Sequence, residues 1–324
     1  MAEWLIEDGI GETRAILIDR GDVRAARLFL PGELRAGQVC DAVLTVRHAG
    51  STRGTVLLPS GEEALVDGLA PDASRGAPIR VVVNRTSISE AGRIKRARTR
   101  PTHAPIAPPP SPREVLRQDG HPVRTVTRFP DDPWPELIGE AIDGQVDFDG
   151  GTLIISPTPA MTLIDVDGTL SPGALALASV PAVAAAITRF DLSGSIGIDF
   201  PTLERKDERR RLDLALADAL AHWPHQATAM NGFGFVQLVA RCDGPSLLHR
   251  VRADPLGTGA RLLLRQAEAV RDPGVLLLSA SPGIRAAVKP EWEAELARRT
   301  GRILRWNLDT GLAPGAGFAQ AITS

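Results

Sequence analysis

The stretch from Gly150 to Thr202 decides the fold: it begins GGTLIISPTPAMTLIDVDGTLSP, continues as an apolar helical run and ends FDLSGSIGIDFPT. Two short apolar segments in it, TLIDVDG and SIGIDFP, predict strands that each deliver an aspartate at the C-terminal end, Asp165 and Asp199. Two carboxylates on neighbouring strands repel each other, and a divalent cation relieves that repulsion. We therefore expect a metal site here, although an aspartate after a strand is also a common helix cap or turn former.

The order of elements around these aspartates is typical of an α/β fold. The pattern predicts strands over residues 152–155, 161–166 and 195–200, and helices over 174–190 and 204–222. Ser171 and Pro172 supply an N-cap and a first-turn proline for the earlier helix. Strand, helix, strand and helix in succession indicate the α/β class.

Asp167 extends the candidate site because it follows Asp165 by two residues. Positions two apart lie on the same side of an extended strand, so both carboxylates can face one cavity. Asp165, Asp167 and Asp199 are therefore the candidate catalytic residues and metal ligands.

The same stretch resembles the catalytic core of the ribonuclease E/G family of endoribonucleases. That family has two glycines before a strand-turn-strand ending in an IDVN-like motif, followed by a helix, a DLGG-IVIDF-like strand and a basic helix. The corresponding segments here are TLIISPTPAMTLIDVDGTLS and DLSGSIGIDFPTLERKDERRR. Further on, NGFGFVQL (Asn231 to Leu238) resembles the RFGL-E segment of the family, and the likeness covers roughly residues 136–250.

The resemblance implies hydrolysis of phosphodiester bonds in single-stranded RNA. In the family the two strand-end aspartates bind the catalytic Mg²⁺, which would place that ion, or Mn²⁺, on Asp165 and Asp199. The ion would activate a water and stabilise charge on the scissile phosphate. Asp167 stands where the family has asparagine, so it would add a third ligand or change the affinity for metal. Single-stranded RNA is the expected partner, and DNA binding is not expected.

Composition gives no global sign of nucleic-acid binding. The chain carries 37 Lys and Arg against 39 Asp and Glu, a net charge of −2, so any RNA affinity must come from local basic patches. Its two cysteines, Cys40 and Cys242, provide neither a disulfide framework nor a zinc cluster. We see no secretory leader and no stretch long and apolar enough to span a membrane, and expect a cytoplasmic protein without a membrane partner.

Residues 1–88 predict an opening hairpin and a small β-barrel of the S1/OB type. Several short strands divided by Gly, Pro and Ser turns give this pattern, and the resembled family has an S1 domain in this place. The open face of such a barrel often binds single-stranded nucleic acid. Aromatic residues are nearly absent between residues 37 and 90, so a purely structural barrel is the alternative.

Residues 89–135 are predicted to be a basic and Pro-rich linker. The segment HAPIAPPPSP is extended and cannot pack as a helix or a central strand. A basic run precedes it, formed by Arg93, Lys95, Arg96, Arg98 and Arg100. The run is either a solvated linker or a contact for RNA phosphates, and the second interpretation predicts a marked salt dependence.

The catalytic core is expected over residues 136–253, with further RNA-binding candidates in Arg205, Lys206 and Arg241. Arg205 and Lys206 begin the second predicted helix, where a solvated face shared with acidic residues is the alternative interpretation. Arg241 lies near where the family has basic residues beside its site. Residues 254–324 predict a small C-terminal α/β domain with a loose end from Gly311 onward.

Two family modules are expected to be missing. Too few residues lie between the barrel and Trp134 to build the insert that senses a 5′-monophosphate, and no cysteine pair marks the zinc link. We therefore expect no structural zinc, and any oligomer would form without a zinc link. An endoribonuclease is the favoured function. The alternatives are a catalytically inactive RNA-binding relative and a protein-interaction subunit that retains the fold alone.

Overall fold

The computed structural model describes residues 1–90 and 93–323, which form eight helices and 20 strands. The strands assemble into a four-stranded N-terminal sheet, a closed five-stranded barrel, a six-stranded central sheet, a three-stranded C-terminal sheet and a two-stranded hairpin. The α/β class and the presence of a small barrel near the N-terminus, both predicted from the sequence, are confirmed.

The N-terminal sheet begins as a meander of β1 (Glu3–Gly9), β2 (Glu12–Asp19) and β3 (Asp22–Phe29). Both faces of this sheet are buried. Trp4 and Ile6 of β1 pack in one apolar cluster, and Leu5 between them joins the main core on the other side. Burial on two sides explains why β1 is a continuous apolar run without alternation.

The barrel follows and is closed by a strand from beyond a hairpin. The barrel strands are β4 (Val39–Arg47), β5 (Arg53–Leu57), β6 (Glu63–Asp67), β7 (Pro78–Arg85) and β10 (Ala97–Pro101). Between β7 and β10 lies the separate hairpin of β8 (Ile88–Glu90) and β9 (Arg93–Lys95). The closed order is β10-β6-β5-β4-β7. This arrangement is compatible with an OB-like barrel.

β10 corrects the expectation that residues 89–135 form a linker. Ala97 and Thr99 are buried in the barrel wall, whereas Arg98 and Arg100 between and after them are exposed. The run of arginines concealed this strand alternation in the sequence. The Pro-rich part is fixed as well, because Val39 and Ala107 exchange two backbone hydrogen bonds of 3.0 and 3.1 Å.

The rest of the expected linker belongs to the N-terminal sheet and the core. It contains α1 (Pro112–Arg117), β11 (Val123–Val126) and the start of α2 (Trp134–Asp143). β11 pairs in parallel with β1, with Trp4 opposite Val123. A strand whose partner lies so far back in the chain leaves no local pattern by which to recognise it.

The central sheet carries the aspartates. Its elements are β12 (Gln145–Phe148), β13 (Gly151–Pro157), β14 (Thr162–Gly168), α3 (Pro172–Arg189), β15 (Ser195–Asp199), α4 (Lys206–Ala219), β16 (His225–Ala227) and β17 (Phe235–Ala240), followed by α5 (Leu247–Ala253). The strand order is β12-β13-β14-β15-β17-β16. β14 and β15 are parallel, and the other neighbouring pairs are antiparallel.

One face of the central sheet is covered and the other is open. Ile155, Ile164 and Ile198 point to the covered face and share one apolar core with α2 and α3. The intervening residues Ile154 and Asp165 are exposed. Alternation along the strands therefore divides the sheet into an apolar side, which holds the fold together, and a solvent side that can receive a ligand.

α3 corrects one expectation from composition. It is an 18-residue helix of mean hydropathy 1.3, long and apolar enough by those measures to cross a membrane. Its residues Val180, Val183 and Ile187 are buried in the core beneath the central sheet. A core helix and a membrane span share these measures, so they do not decide between the two.

The C-terminal sheet closes the chain. Its elements are α6 (Pro255–Ala269), β18 (Val275–Ala280), α7 (Pro282–Ala287), α8 (Pro290–Thr300), β19 (Leu304–Leu308) and β20 (Gly317–Ile322). β20 pairs antiparallel with β18 and packs Ala319 against the C-terminal apolar cluster. The expectation of a loose end from Gly311 onward is therefore wrong.

A buried ionic network joins the N-terminal sheet to α6. Arg265 donates to both carboxylate oxygens of Glu7, at 2.9 and 3.0 Å, and also pairs with Asp132. Arg14 lies 3.3 Å from Glu7 and 3.2 Å from Glu12, and Arg261 lies 3.0 Å from Glu12. Burial raises the pKa of Glu12 in spite of the guanidinium groups beside it.

Candidate metal centre

The two strand aspartates are direct neighbours on the open face of the central sheet. β14 and β15 run in parallel with Asp165 and Asp199 as register partners, and both side chains are exposed. Neighbouring strands lie roughly 4.8 Å apart, which brings the carboxylates within reach of one ion. Asp199 ends β15 as expected, but Asp165 lies in the middle of β14. Its accessibility comes from the open sheet face and not from a strand end.

Asp167 lies on the same face, beyond the end of β15. Its register partner is Thr152 on β13, and its Oδ1 accepts the Gly168 backbone N–H at 2.8 Å. Over residues 1–90 and 93–323, no three His, Cys, Asp or Glu side chains form a group suited to hold a metal. The geometry therefore pairs Asp165 with Asp199 and leaves Asp167 as a neighbouring charge.

The charges of this trio are not neutralised by the protein. None of the three carboxylates forms an ion pair with a Lys, Arg or His of the described chain. Partial burial raises the pKa of Asp165, and the negative charges of Asp199 and Asp167 raise it further. Oxygen ligands that carry uncompensated negative charge are what Mg²⁺ and Mn²⁺ bind, so this donor set fits such an ion.

An apolar floor adjoins the carboxylate pair. Gly197 precedes Asp199 by two residues and lies on the same face of the sheet. A Cβ at position 197 would lie 2.4 Å from Cζ of Phe235 and 2.9 Å from Sδ of Met161. Phe235 is also the register partner of Asp199 on β17. Glycine at position 197 thus lets an aromatic ring and a thioether approach the strand beside the carboxylates.

The basic run contacts the protein more than the sequence suggested. Arg93 and Lys95 both pair with Glu90, at 2.9 and 3.3 Å, and Arg93 also donates to the Pro159 carbonyl at 2.8 Å. Arg93 thereby fixes the hairpin to the turn between β13 and β14. Arg96 pairs with Glu63 at 2.9 Å. These three cations therefore form contacts within the hairpin, with the β13–β14 turn and with the barrel.

The remaining basic candidates divide into paired and unpaired residues. Arg205 pairs with Asp207 and Arg241 with Asp243, each at 2.7 Å on an exposed surface. Such exposed pairs are weak and can exchange for a phosphate. Arg98, Arg100 and Lys206 are exposed and form no ion pair within the described residues. Within the described residues, none of the eight basic candidates forms an ion pair with Asp165, Asp167 or Asp199.

The carboxylate pair lies on the exposed face of the sheet. Thr202, Arg205 and Ser171 help line a cavity of about 680 Å³ between the first turns of α3 and α4, beyond the end of β15. A cavity of about 910 Å³ lies between the β2–β3 turn and α3. Asp165, Asp167 and Asp199 line neither of these two cavities.

Phe233 is a further candidate residue that the sequence pattern alone does not single out. It immediately precedes the glycine that leads into β17, and its side chain is 85% exposed. The signal was present in NGFGF, where two glycines and an asparagine surround two aromatic residues. Its significance depends on the neighbouring strand, which the motif itself does not show.

Comparisons with known proteins do not assign the chain to a family. A scan against protein-family models gave no match, and a search of curated proteins gave none either.

Proposed function

We propose that this protein is a metal-dependent endoribonuclease that hydrolyses phosphodiester bonds in single-stranded RNA, similar to ribonuclease E/G. The observation that carries the proposal is the register pairing of Asp165 with Asp199 on an open sheet face, where no Lys, Arg or His among the described residues forms an ion pair with them. The motif residues around both aspartates supply the second support.

Asp165 and Asp199 would hold Mg²⁺ or Mn²⁺ through their carboxylate oxygens. The ion, when bound, would supply charge stabilisation for the phosphate and activation of water. Mg²⁺ is commonly held by one or two carboxylates and keeps several waters, so the pair is sufficient. Asp167 adds negative charge beside the pair, while its bond to the Gly168 N–H fixes the orientation of its carboxylate.

Substrate binding would use the open face and its rim. The apolar floor formed by Gly197, Phe235 and Met161 lies beside the carboxylates and can contact a base or a ribose. Arg98, Arg100 and Lys206 are available for phosphates. An RNA strand in which the bases are unpaired exposes both its bases and its phosphates to surfaces of these two kinds.

The decisive experiment incubates the purified chain with a labelled single-stranded RNA in Mg²⁺ and in EDTA. The Asp165→Asn/Asp199→Asn variant is compared with the wild type, and Asp149→Asn, an exposed carboxylate on the β12–β13 turn, is the matched control. We expect cleavage by the wild type and the control in Mg²⁺, and none in EDTA or by the double variant. Cleavage by a correctly folded double variant would reject the proposal.

One observation favours a second candidate, an RNA-binding protein without nuclease activity. In the described part of the chain the aspartates do not form a three-ligand group. Folded wild-type protein that binds RNA with a steep salt dependence, but leaves it intact at every Mg²⁺ and Mn²⁺ concentration, would establish this candidate.

A further inference from the structure

The most exposed aromatic side chain of the described residues lies on the loop that leads into β17, the strand that pairs with β15. Phe233 is 85% exposed, compared with 41% for Phe318 on β20. Phenylalanine has no polar group that water can solvate, so such exposure costs free energy in the isolated protein. An aromatic ring exposed in this way has a free face on which a planar ligand can stack.

The backbone around Phe233 is fixed by hydrogen bonds. Oδ1 of Asn231 accepts the backbone N–H groups of Phe233, at 2.8 Å, and of Phe235, at 3.1 Å. The hydroxyl of Thr202 donates to the Phe233 carbonyl at 3.3 Å. The exposure of the ring is therefore part of a defined loop structure and does not result from a loose segment.

Gly234 ties this loop to the strand that carries Asp199. Its φ of +95° lies in the left-handed region, and a Cβ at this position would lie 2.2 Å from the Phe200 carbonyl oxygen. The Phe200 N–H in turn donates to the Gly234 carbonyl at 3.1 Å. Since Phe200 follows Asp199 directly, these contacts fix the loop that carries Phe233 to the end of the strand that carries Asp199.

We propose that Phe233 is a stacking platform for one unpaired nucleobase of an RNA strand that binds along the open sheet face carrying Asp165 and Asp199. This inference rests on the proposed function and assigns it a substrate-positioning residue. A phenyl ring stacks on any base, so the platform would place the strand without choosing its sequence. A base inside a duplex is covered on both faces, so the platform would also favour single strands.

Two strands of the barrel offer no aromatic side chain on which a base could stack. Its outward residues on β5 and β6 include no aromatic side chain, and the charged residues there form the pairs Arg53–Asp67 and Arg96–Glu63. Base stacking therefore has no site on these two described strands. Phe233 provides one next to the proposed point of cleavage.

The test measures binding in the Asp165→Asn/Asp199→Asn background, where cleavage that depends on the aspartates is absent. The probes are a fluorescent single-stranded oligouridylate and a set of the same oligomers with one abasic nucleotide moved along the strand. Phe233→Ala and Phe233→Trp are compared with Phe318→Ala, a matched exposed phenylalanine on the C-terminal sheet. Circular dichroism confirms that each variant is folded.

We expect Phe233→Ala to weaken RNA binding by about five- to a hundredfold, whereas Phe233→Trp and Phe318→Ala bind like the parent. An abasic nucleotide at one position should weaken binding of the parent by a similar factor and leave Phe233→Ala unaffected. Unchanged affinity in Phe233→Ala, equal sensitivity of both proteins to the abasic probe, or no RNA binding by the parent would overturn the platform. A change of oligomeric state without a change in RNA affinity would instead assign Phe233 to a protein interface.

The nuclease activity and the Phe233 platform can be rejected independently of each other. Loss of RNA cleavage in the metal assay with abasic sensitivity retained at Phe233 would reject the nuclease and keep the platform. Aspartate-dependent cleavage by Phe233→Ala with the wild-type KM would keep the nuclease and reject the platform.

Discussion

Asp165 and Asp199 face each other across the parallel strand pair of the central sheet, and each is left without a cationic partner among the described residues. Other exposed carboxylates, such as Asp207 and Asp243, pair with an arginine. Asp165 and Asp199 differ from lone unpaired carboxylates because they are register partners, so each raises the cost of ionising the other. Either a proton or a metal ion can relieve the repulsion.

The repulsion should be measurable as a pKa. In metal-free protein we expect the pKa of Asp165 to lie above its ordinary value of 3.8, because of partial burial and then of the charges of Asp199 and Asp167. Asp199→Asn removes one negative charge, makes ionisation of Asp165 easier and should lower this pKa. Carboxyl-carbon NMR titration measures it. Asp149→Asn is the control and should leave the titration unchanged; an equal shift in both variants would contradict the pairing.

Metal binding should appear as thermal stabilisation. A ligand that binds the folded state alone stabilises it by about 1.4 kcal/mol at ten times its Kd, so Mg²⁺ should raise the Tm of the wild type. Asp165→Asn/Asp199→Asn should lose this response and should fold at least as stably without metal, since the carboxylate repulsion is gone. Calorimetry at increasing MgCl₂, with KCl at matched ionic strength, measures the difference. An equal Mg²⁺ response of the double variant would show that the ion binds elsewhere.

Gly234 offers a test of the loop beside Asp199. Gly234→Ala adds a Cβ 2.2 Å from the Phe200 carbonyl oxygen at a backbone φ of +95°, so either the loop or β15 must move. We expect a loss of about 1 kcal/mol or more in unfolding free energy and weaker RNA binding. Gly232→Ala is the matched control, because a Cβ there meets no atom within 4 Å. Urea denaturation measures the free energy of unfolding of both variants. Equal stability of Gly234→Ala and Gly232→Ala would show that the left-handed conformation at Gly234 is dispensable.

The buried network predicts a large effect far from the site. Arg265→Met leaves Glu7 and Asp132 without their shared guanidinium, and removal of one partner from a buried ion pair costs about 3–5 kcal/mol. Arg298→Met breaks an exposed pair with Glu295 and should cost less than about 1 kcal/mol. Chemical denaturation of both variants measures the contrast. A small loss in Arg265→Met would mean that the network contributes little to holding α6 on the N-terminal sheet.

The sequence was sufficient where the pattern is local. Apolar runs that end in turns located β14, β15 and α3, and the two-residue spacing placed Asp165 and Asp167 on one face. Two neighbouring strands with equivalent motifs were enough to bring Asp165 beside Asp199. The same local reasoning predicted a small barrel of short strands before residue 88, where β4 to β7 are observed.

The sequence was insufficient to predict strands whose pairing partner lies far away in the chain. β10, β11 and β20 were assigned to linker or loose segments because each becomes a strand through a partner that local composition does not reveal. The basic run was considered as an RNA contact because Glu90 and Glu63 could not be assigned to it without the fold. Phe233 was overlooked for the same reason, since its fixed position depends on Thr202 and Phe200.

The contact between Glu7 and Arg265 spans 258 residues, which has a consequence for how the protein is made. When the N-terminal strands leave the ribosome, Glu7 and Glu12 have Arg14 as their one nearby guanidinium, and burying the surplus carboxylate at that stage is unfavourable. The barrel has all its strands within residues 39–101 and can close early. The N-terminal sheet, although synthesised first, reaches its final packing after α6 has been translated, so the oldest part of the nascent chain is among the last to mature.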